Sequence, residues 1–268
     1  MTLFRQHAKT EALSVLVWSV ILGLAGFMTT YMWEMFSSSG SLADLQKTLE
    51  TAPGALKGLF GSGVDLLTFN GWVQGYALGT WVALPYVIFT ALFVAGMVTR
   101  EMDRRTMEFL LSLPVSRAQF IVSRWLVLVM ALAALHLTQF VGVWSSAVAI
   151  GQQAEPGRYA LAQLSSTLLF LFVGSLMLAA SVLIDDYGRG TGAMLGIGLG
   201  LNLFHMATGD ATGALKSLRD VLPFSLHDVA AIVMKGEVPW GDMAILGGGS
   251  LLFLAVAIWL FQRKQITV

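Results

Sequence analysis

The chain has 268 residues, 56% of them hydrophobic and 12% charged, with a mean hydropathy of +0.73. Soluble domains carry about 25% charged residues, so half that share, with several apolar runs near twenty residues, points to an integral membrane protein. Zero net charge supplies no overall basic field for nucleic acid, and the absence of cysteine excludes disulfides, thiolate metal sites and cysteine nucleophiles.

Thr2–Glu11 is too polar for a cleaved signal peptide and reads as an N-terminal interfacial lead-in, residues 1–11. The apolar pattern then predicts six spans. They cover about Ala12–Tyr31, Tyr76–Val98, Ile121–Val148, Leu161–Ile184, Thr191–Met206 and Met243–Phe261. The fifth is short. Runs this continuously apolar suit helices, which satisfy their own backbone in lipid, rather than barrel strands. The expected fold is therefore all-α: a polytopic membrane protein forming a single transmembrane domain over residues 1–268.

Lys and Arg set the orientation. With the N-terminus inside, the inner side holds Arg5, Lys9, Arg100, Arg104, Arg105, Arg117, Arg124, Arg189, Arg263 and Lys264. The outer side holds Lys47, Lys57, Arg158, Lys216, Arg219 and Lys235, ten against six, and the inner loops are shorter. Both termini are expected in the cytoplasm, the chain sitting multi-pass in an inner (cytoplasmic) membrane. Two outer segments are long. Glu34–Gln74 has room for one or two short surface helices. Residues 207–242 are apolar but broken by charges and Pro223, which suits short interfacial or re-entrant helices rather than a span. Tyr31, Trp33, Trp72, Trp81, Trp240 and Trp259 fall near span ends and fit an aromatic belt, with Glu34 solvated.

The segment 99–117 between spans two and three is the most pointed feature. At 100° per residue, Met102, Thr106, Phe109, Leu110 and Leu113 share one face, with Glu101, Arg104, Arg105, Glu108 and Ser112 opposite. Glu101–Arg105 and Arg104–Glu108 have i,i+4 spacing. Pro114 ends the helix, and Ser116 with Gln119 has capping-box spacing for the next span. Taken alone, this pattern fits either a solvated connector on the headgroups or a handle for a partner.

Elsewhere, Gly192, Gly196 and Gly200 recur every four residues, with Gly190 and Gly198 between them. Such spacing permits close helix contact, either at a dimer seam or inside one protomer. Asp185, Asp186 and Arg189 link spans four and five, with solvation and mutual pairing the simplest reading; Tyr187 and Gly188 read as turn residues. The polar groups within spans include His136, Gln139, Gln163, Ser165, Ser166, Asn202 and His205. Intramembrane polar residues are candidates for function, and His136, Gln139, Asn202 and His205 are the candidate path-lining set, with hydrogen-bonded packing the plainer alternative. His227 and Asp228 are adjacent and project in different directions, so they form no pair. No metal-ligand spacing and no nucleophile–base arrangement is visible, so no catalytic, cofactor-binding or metal residue is expected.

The run Glu101, Thr106, Glu108, Leu110, Leu111, Ser112, Pro114, Val115, Ser116 and Arg117 resembles the cytoplasmic motif of type-2 ATP-binding-cassette (ABC) exporter permeases. Six spans, cytoplasmic termini, Leu222–Gly236 before the last span and the closing Phe261–Lys264 are similar to that family too. The resemblance implies that residues 99–117 form a coupling helix seated in a groove of an ATPase subunit. Glu101, Arg104, Arg105, Thr106, Glu108, Phe109, Leu110 and Pro114 are then the coupling residues. It also implies two ATPase subunits, a second permease chain (identical or related) and surrounding lipid as partners, and no nucleic acid. Arg105 departs from the pattern, since members often carry Gly there. No G-x-x-x-x-G-K-[ST] loop occurs, so this chain is expected to hold no cofactor and no ATPase site, with ATP and Mg in the partner. A secondary transporter would need intramembrane charges that the span cores lack, and an enzyme would need a catalytic set that cannot be assembled. A non-transporting scaffold or sensor subunit is the remaining alternative.

Overall fold

The computed structural model describes residues 2–52, 64–104, 116–209 and 211–264, and these are helical with connecting turns. The first helix, α1 (Thr2–Ser38), is unbroken, so the polar lead-in is continuous with the first span. After it come α2 (Ser41–Thr51) and α3 (Phe69–Trp72), which runs into a π-turn at Val73–Ala77. The chain continues as α4 (Thr80–Met97) and the short α5 (Thr99–Asp103). Two long helices follow, α6 (Arg117–Ala149) and α7 (Pro156–Ser181), then α8 (Tyr187–Ala207). The second outer segment folds as α9 (Ala214–Asp220), a 3-10 turn (Pro223–Leu226) and a π-turn (Ala231–Lys235). The last helix is α10 (Trp240–Arg263).

Among the described residues, five helical stretches are long and apolar enough to cross a membrane: Arg5–Ser38, Phe69–Asp103, Arg117–Ala149, Pro156–Ser181 and Trp240–Arg263. The expected fifth span, Thr191–Met206, forms α8, a helix of 21 residues that is not among these five. Its glycines, with Asn202 and His205, dilute it, which is why length alone makes it resemble the others.

Local chemistry fixes the starts. Ser116 Oγ accepts from the Gln119 N–H at 3.1 Å while Gln119 Oε1 accepts from the Ser116 N–H at 3.0 Å, the reciprocal capping box that the spacing predicts for α6. Pro156 opens α7, where a missing N–H costs nothing. Asp186 caps α8 by accepting from the Arg189 N–H at 2.6 Å. Tyr187 and Gly188 are thus the first turn of α8 rather than a loop. The acids of this link do not pair with Arg189 as the simplest reading had it. Asp186 is a cap, and Asp185 bridges Lys264, whose ammonium also donates to the Val182 carbonyl.

The α1–α6 seam is the closest helix contact. A Cβ on Gly142 would stand 2.1 Å from the Gly23 carbonyl oxygen, and one on Gly26 would stand 3.1 Å from Val143. Hydrocarbon gives apolar side chains little reason to prefer one another over lipid, so backbone proximity through small residues is what holds such a pair. The larger apolar core gathers α4, α6, α7, α8 and α10 around Tyr86, Phe89, Leu128, Leu132 and Met177. A second, outer cluster joins Trp33, Leu42, Leu66, Trp72, Val73, Tyr159 and Ile232 under the short helices. Trp33 and Trp72 therefore do not belong to an interfacial belt. Both are buried, their rings 6.2 Å apart, and Trp72 Nε1 donates to the Thr29 carbonyl at 2.8 Å. Tyr31, Trp240 and Trp259 are exposed.

Candidate functional site

The described part of the 99–117 segment is α5 and the residues from Ser116 onward. Arg105, Thr106, Glu108, Phe109, Leu110 and Pro114 lie outside the described residues. The two flanks are bound to the helical body. At the entry, Arg100 stands 3.8 Å from Glu11 of α1 and donates to Tyr187 Oη at 3.1 Å, its guanidinium 5.1 Å from that ring. Glu101 reaches Arg124 of α6 at 3.8 Å, and Arg124, 5% exposed, also covers the Phe120 ring. Arg104 is exposed. At the exit, Arg117 donates to the Phe261, Gln262 and Lys264 carbonyls at 3.1, 3.2 and 2.7 Å. Those are orphan acceptors at the end of α10, where a cation is favoured. Arg117 thereby ties the start of α6 to the end of α10.

The glycines of α8 divide into two sets. At Gly190 and Gly198 a Cβ would meet Thr99 at 2.7 Å and Met177 at 2.6 Å, so these two serve packing inside the protomer. At Gly192, Gly196 and Gly200 a Cβ would meet nothing within 4 Å. These three form an outward ridge continued by exposed Leu203.

The candidate path residues come together. His136, Gln139, Asn202 and His205 all line one cavity of about 410 Å³ between α4, α6, α7, α8 and the second outer segment. Tyr86 is central to its wall. Pro85 precedes it inside α4, a residue tolerated in membrane helices when neighbours re-satisfy the backbone. Tyr86 Oη donates to Gln139 Oε1 at 2.7 Å, and Gln139 Nε2 donates to the Ala77 carbonyl in the π-turn at 2.7 Å. The Tyr86 ring stacks on His136 at 4.1 Å and on Phe170 at 5.0 Å. His136 Nδ1 meets Gln163 Oε1 at 2.8 Å.

The outer wall is made by residues that periodicity alone did not single out. His227 sits between Ser165 Oγ at 2.9 Å and Ser166 Oγ at 3.1 Å, one at each ring nitrogen. Burial lowers its pKa to about 4; the Asp228 carboxylate opposes that shift and His205 adds to it. His205 Nδ1 lies 3.2 Å from Ser225 Oγ, which donates to the Arg219 carbonyl at 2.6 Å. Arg219 itself donates to the Thr208 and Gly209 carbonyls and pairs with Asp220 at 3.4 Å. A single histidine beside an aspartate looked idle in the sequence. Its partners, Ser165 and Ser166, lie more than sixty residues away, and only the fold brings them in.

Four buried side-chain atoms in and behind this wall have no hydrogen-bond partner: His136 Nε2, Asn202 Oδ1, Arg219 Nε and Gln163 Nε2. Buried polar groups are nearly always satisfied, so these four are exceptions, and none of the four atoms has surface open to the cavity. Among the described residues no three His, Cys, Asp or Glu side chains gather as a metal site would require. The His227 imidazole in this wall has a serine hydroxyl at each ring nitrogen and no carboxylate at either.

A family model described as ABC-2 family transporter protein matches residues 7–266. No protein of curated function matches the chain.

Proposed function

Because the chain belongs to the ABC-2 family of transporter membrane proteins, we propose that it is the permease half of an exporter, driven by separate ATPase subunits that seat on residues 99–117. Family membership makes it a multi-pass membrane permease subunit. The finer reading is that two permease chains, identical or related, enclose the path and two ATPases carry ATP and Mg. Both termini face the cytoplasm across the inner membrane.

One observation carries the coupling claim: both flanks of residues 105–115 are fixed, and to different helices. The entry is held to α1, α6 and α8 through Arg100 and Glu101, and the exit to α10 through Arg117. A push on the segment is thus delivered to four helices at once, which is what a conformational drive requires. ATP then biases the equilibrium only through contacts that differ between the inward-open and outward-open states. Glu101, Arg104, Arg105, Thr106, Glu108, Phe109, Leu110 and Pro114 are the residues assigned to those contacts.

The sixth crossing is α8. It runs antiparallel along α4: Tyr187 and Gly190 lie against Arg100 and Thr99, Gly198 against Val87, and Asn202 and His205 share the cavity with Gly79 and Val82. Its 21 residues measure about 31 Å, close to the ~30 Å hydrocarbon core. An even number of crossings returns both termini to one side. The outward ridge of Gly192, Gly196 and Gly200 is assigned to the seam with the second permease chain, since nothing among the described residues of the protomer requires glycine there.

Affinity purification from native membranes in mild detergent tests the reading. An ATPase with a phosphate-binding loop accompanies the wild-type chain in stoichiometric amount. Glu108→Lys and Phe109→Ala leave the chain folded but lose the ATPase and transport. Full transport in both variants would refute the coupling assignment, and a chain that purifies alone would favour the scaffold alternative.

A further inference from the structure

The second outer segment walls the cavity with two parts of unequal strength. From Pro223 onward it is pegged by apolar side chains: Phe224 is 5% exposed, its ring edge-on to Phe170, and Ile232 and Val233 are fully buried. Upstream lies α9, and six of its seven residues are exposed. Only Arg219 turns inward, its side chain 21% exposed and lining the cavity. Burial of apolar surface is what makes an element costly to open. So α9 sits at the low end of local stability and the pegged part at the high end.

Two polar stitches hold α9 down. The Arg219 guanidinium donates to the Thr208 and Gly209 carbonyls, orphan acceptors just past the last turn of α8, where a cation is favoured. Ser225, on the pegged part, donates to the Arg219 carbonyl at 2.6 Å and meets His205 Nδ1 of α8 at 3.2 Å. His205, Gly209, Arg219 and Ser225 all line the cavity, so the stitches close a seam in its wall. The residues they join are 6 to 20 positions apart, so the seam can part without breaking any pairing between distant helices. At the other end of α9 stands Gly213, with φ +64° and ψ −139°, a backbone conformation that glycine adopts without strain.

We propose that α9 is a lid on this cavity, hinged at Gly213 and bolted by the Arg219 guanidinium to the end of α8, and that it lifts while the part from Pro223 onward stays in place. Arg219 is then a bolt and not a ligand-binding group. Lifting the lid withdraws the guanidinium from the wall and gives water access to Met206, which lines the cavity next to the seam and is 5% exposed while the lid is shut. The lid itself follows from the seam; only its placement on the outer face of the membrane rests on the six-span reading above.

The test uses the full purified chain in detergent. The chain has no cysteine, so Met206→Cys puts a single thiol in the cavity wall, and Met194→Cys puts one in the apolar core of the same helix. The rate of labelling by a water-soluble maleimide reads the opening at each. Arg219→Met keeps the apolar stem and removes the donors of the bolt. With two hydrogen bonds lost, it is expected to speed labelling of Met206→Cys by about tenfold or more and to leave Met194→Cys unchanged. Equal rates at Met206→Cys with and without Arg219 overturn the lid. So does equal acceleration at both positions, which marks general loosening rather than a local opening. Amide hydrogen exchange of the unsubstituted chain needs no variant to fold: residues 214–220 are expected to exchange at least about tenfold faster than residues 231–235, and equal protection overturns the proposal. No ATPase or nucleotide is present, so failure here leaves the coupling assignment standing, and failed co-purification leaves the lid standing.

Discussion

Replacing Gly142 by alanine tests the claim that the α1–α6 seam is held by backbone proximity. The new Cβ would lie 2.1 Å from the Gly23 carbonyl oxygen and 3.1 Å from the Phe27 nitrogen. Ordinary carbon–oxygen contacts fall near 3.3 Å, so the helices must separate by roughly 1 Å, and the obstacle is main chain that no rotamer change can move. Overpacking costs about 1–3 kcal/mol where side chains can yield, and here they cannot. Alanine returns roughly 0.5–1 kcal/mol through its better helix propensity. The net expectation is a loss of about 2 kcal/mol. Gly196→Ala is the matched control, for its Cβ meets nothing within 4 Å and only the propensity gain remains. Thermal unfolding of the monomer in mild detergent, followed by tryptophan fluorescence, should show Gly142→Ala melting early and Gly196→Ala melting with or slightly above wild type. If Gly142→Ala melts with wild type, or both variants melt equally early, the packing argument is wrong.

Two further outcomes are expected. The chain has no cysteine, so Gly196→Cys introduces a single thiol on the outward ridge of α8. Oxidation in native membranes should give a crosslinked permease dimer if the partner is a second copy, whereas monomer at Gly192, Gly196 and Gly200 alike would remove the homodimer seam. For His227, the native pKa of about 4 lies below the ordinary 6.5, so the unfolded chain binds the extra proton first as pH falls. Its contribution to stability is fully present above pH 6.5 and declines between 6.5 and 4. Melting at pH 7.5 and 4.5 should show a smaller acid loss for His227→Gln than for wild type, and identical losses would exclude His227 as the source.

Much of this was legible in the chain because it is written locally. Apolar runs give the long helices, and Ser116 with Gln119 gives a cap that needs only three residues of context. Five long apolar stretches are legible in the same way, whereas α8 is too diluted by glycine and by Asn202 and His205 to stand out by composition. What the sequence hides is long-range pairing. Glu101 has an i,i+4 neighbour in Arg105, yet its described ion pair is with Arg124 on another helix. Trp33 and Trp72 sit at span ends like belt residues, and only the outer short helices reveal that they are covered. Gly190, Gly192, Gly196, Gly198 and Gly200 look alike as letters. Two face Thr99, Val87 and Met177, and three face outward, a difference set by which side α4 approaches. His136, Gln139, Asn202 and His205 are isolated polar residues in sequence. Their common cavity exists because Tyr86, Arg219 and His227 close it from elements that periodicity does not relate.

The hydrogen bonds of Arg117 also impose an order in time. Its partner at the Lys264 carbonyl is made 147 residues later, which at roughly 5–20 residues per second is about 7–30 s of synthesis. Until α10 has inserted, α6 begins at an untethered end. On the coupling reading proposed above, the platform for a cytoplasmic subunit would be finished only after the last helix has entered the bilayer. A nascent chain presents one loose flank, and a subunit that needs both flanks firm would recruit mature permease and pass over chains still on the ribosome.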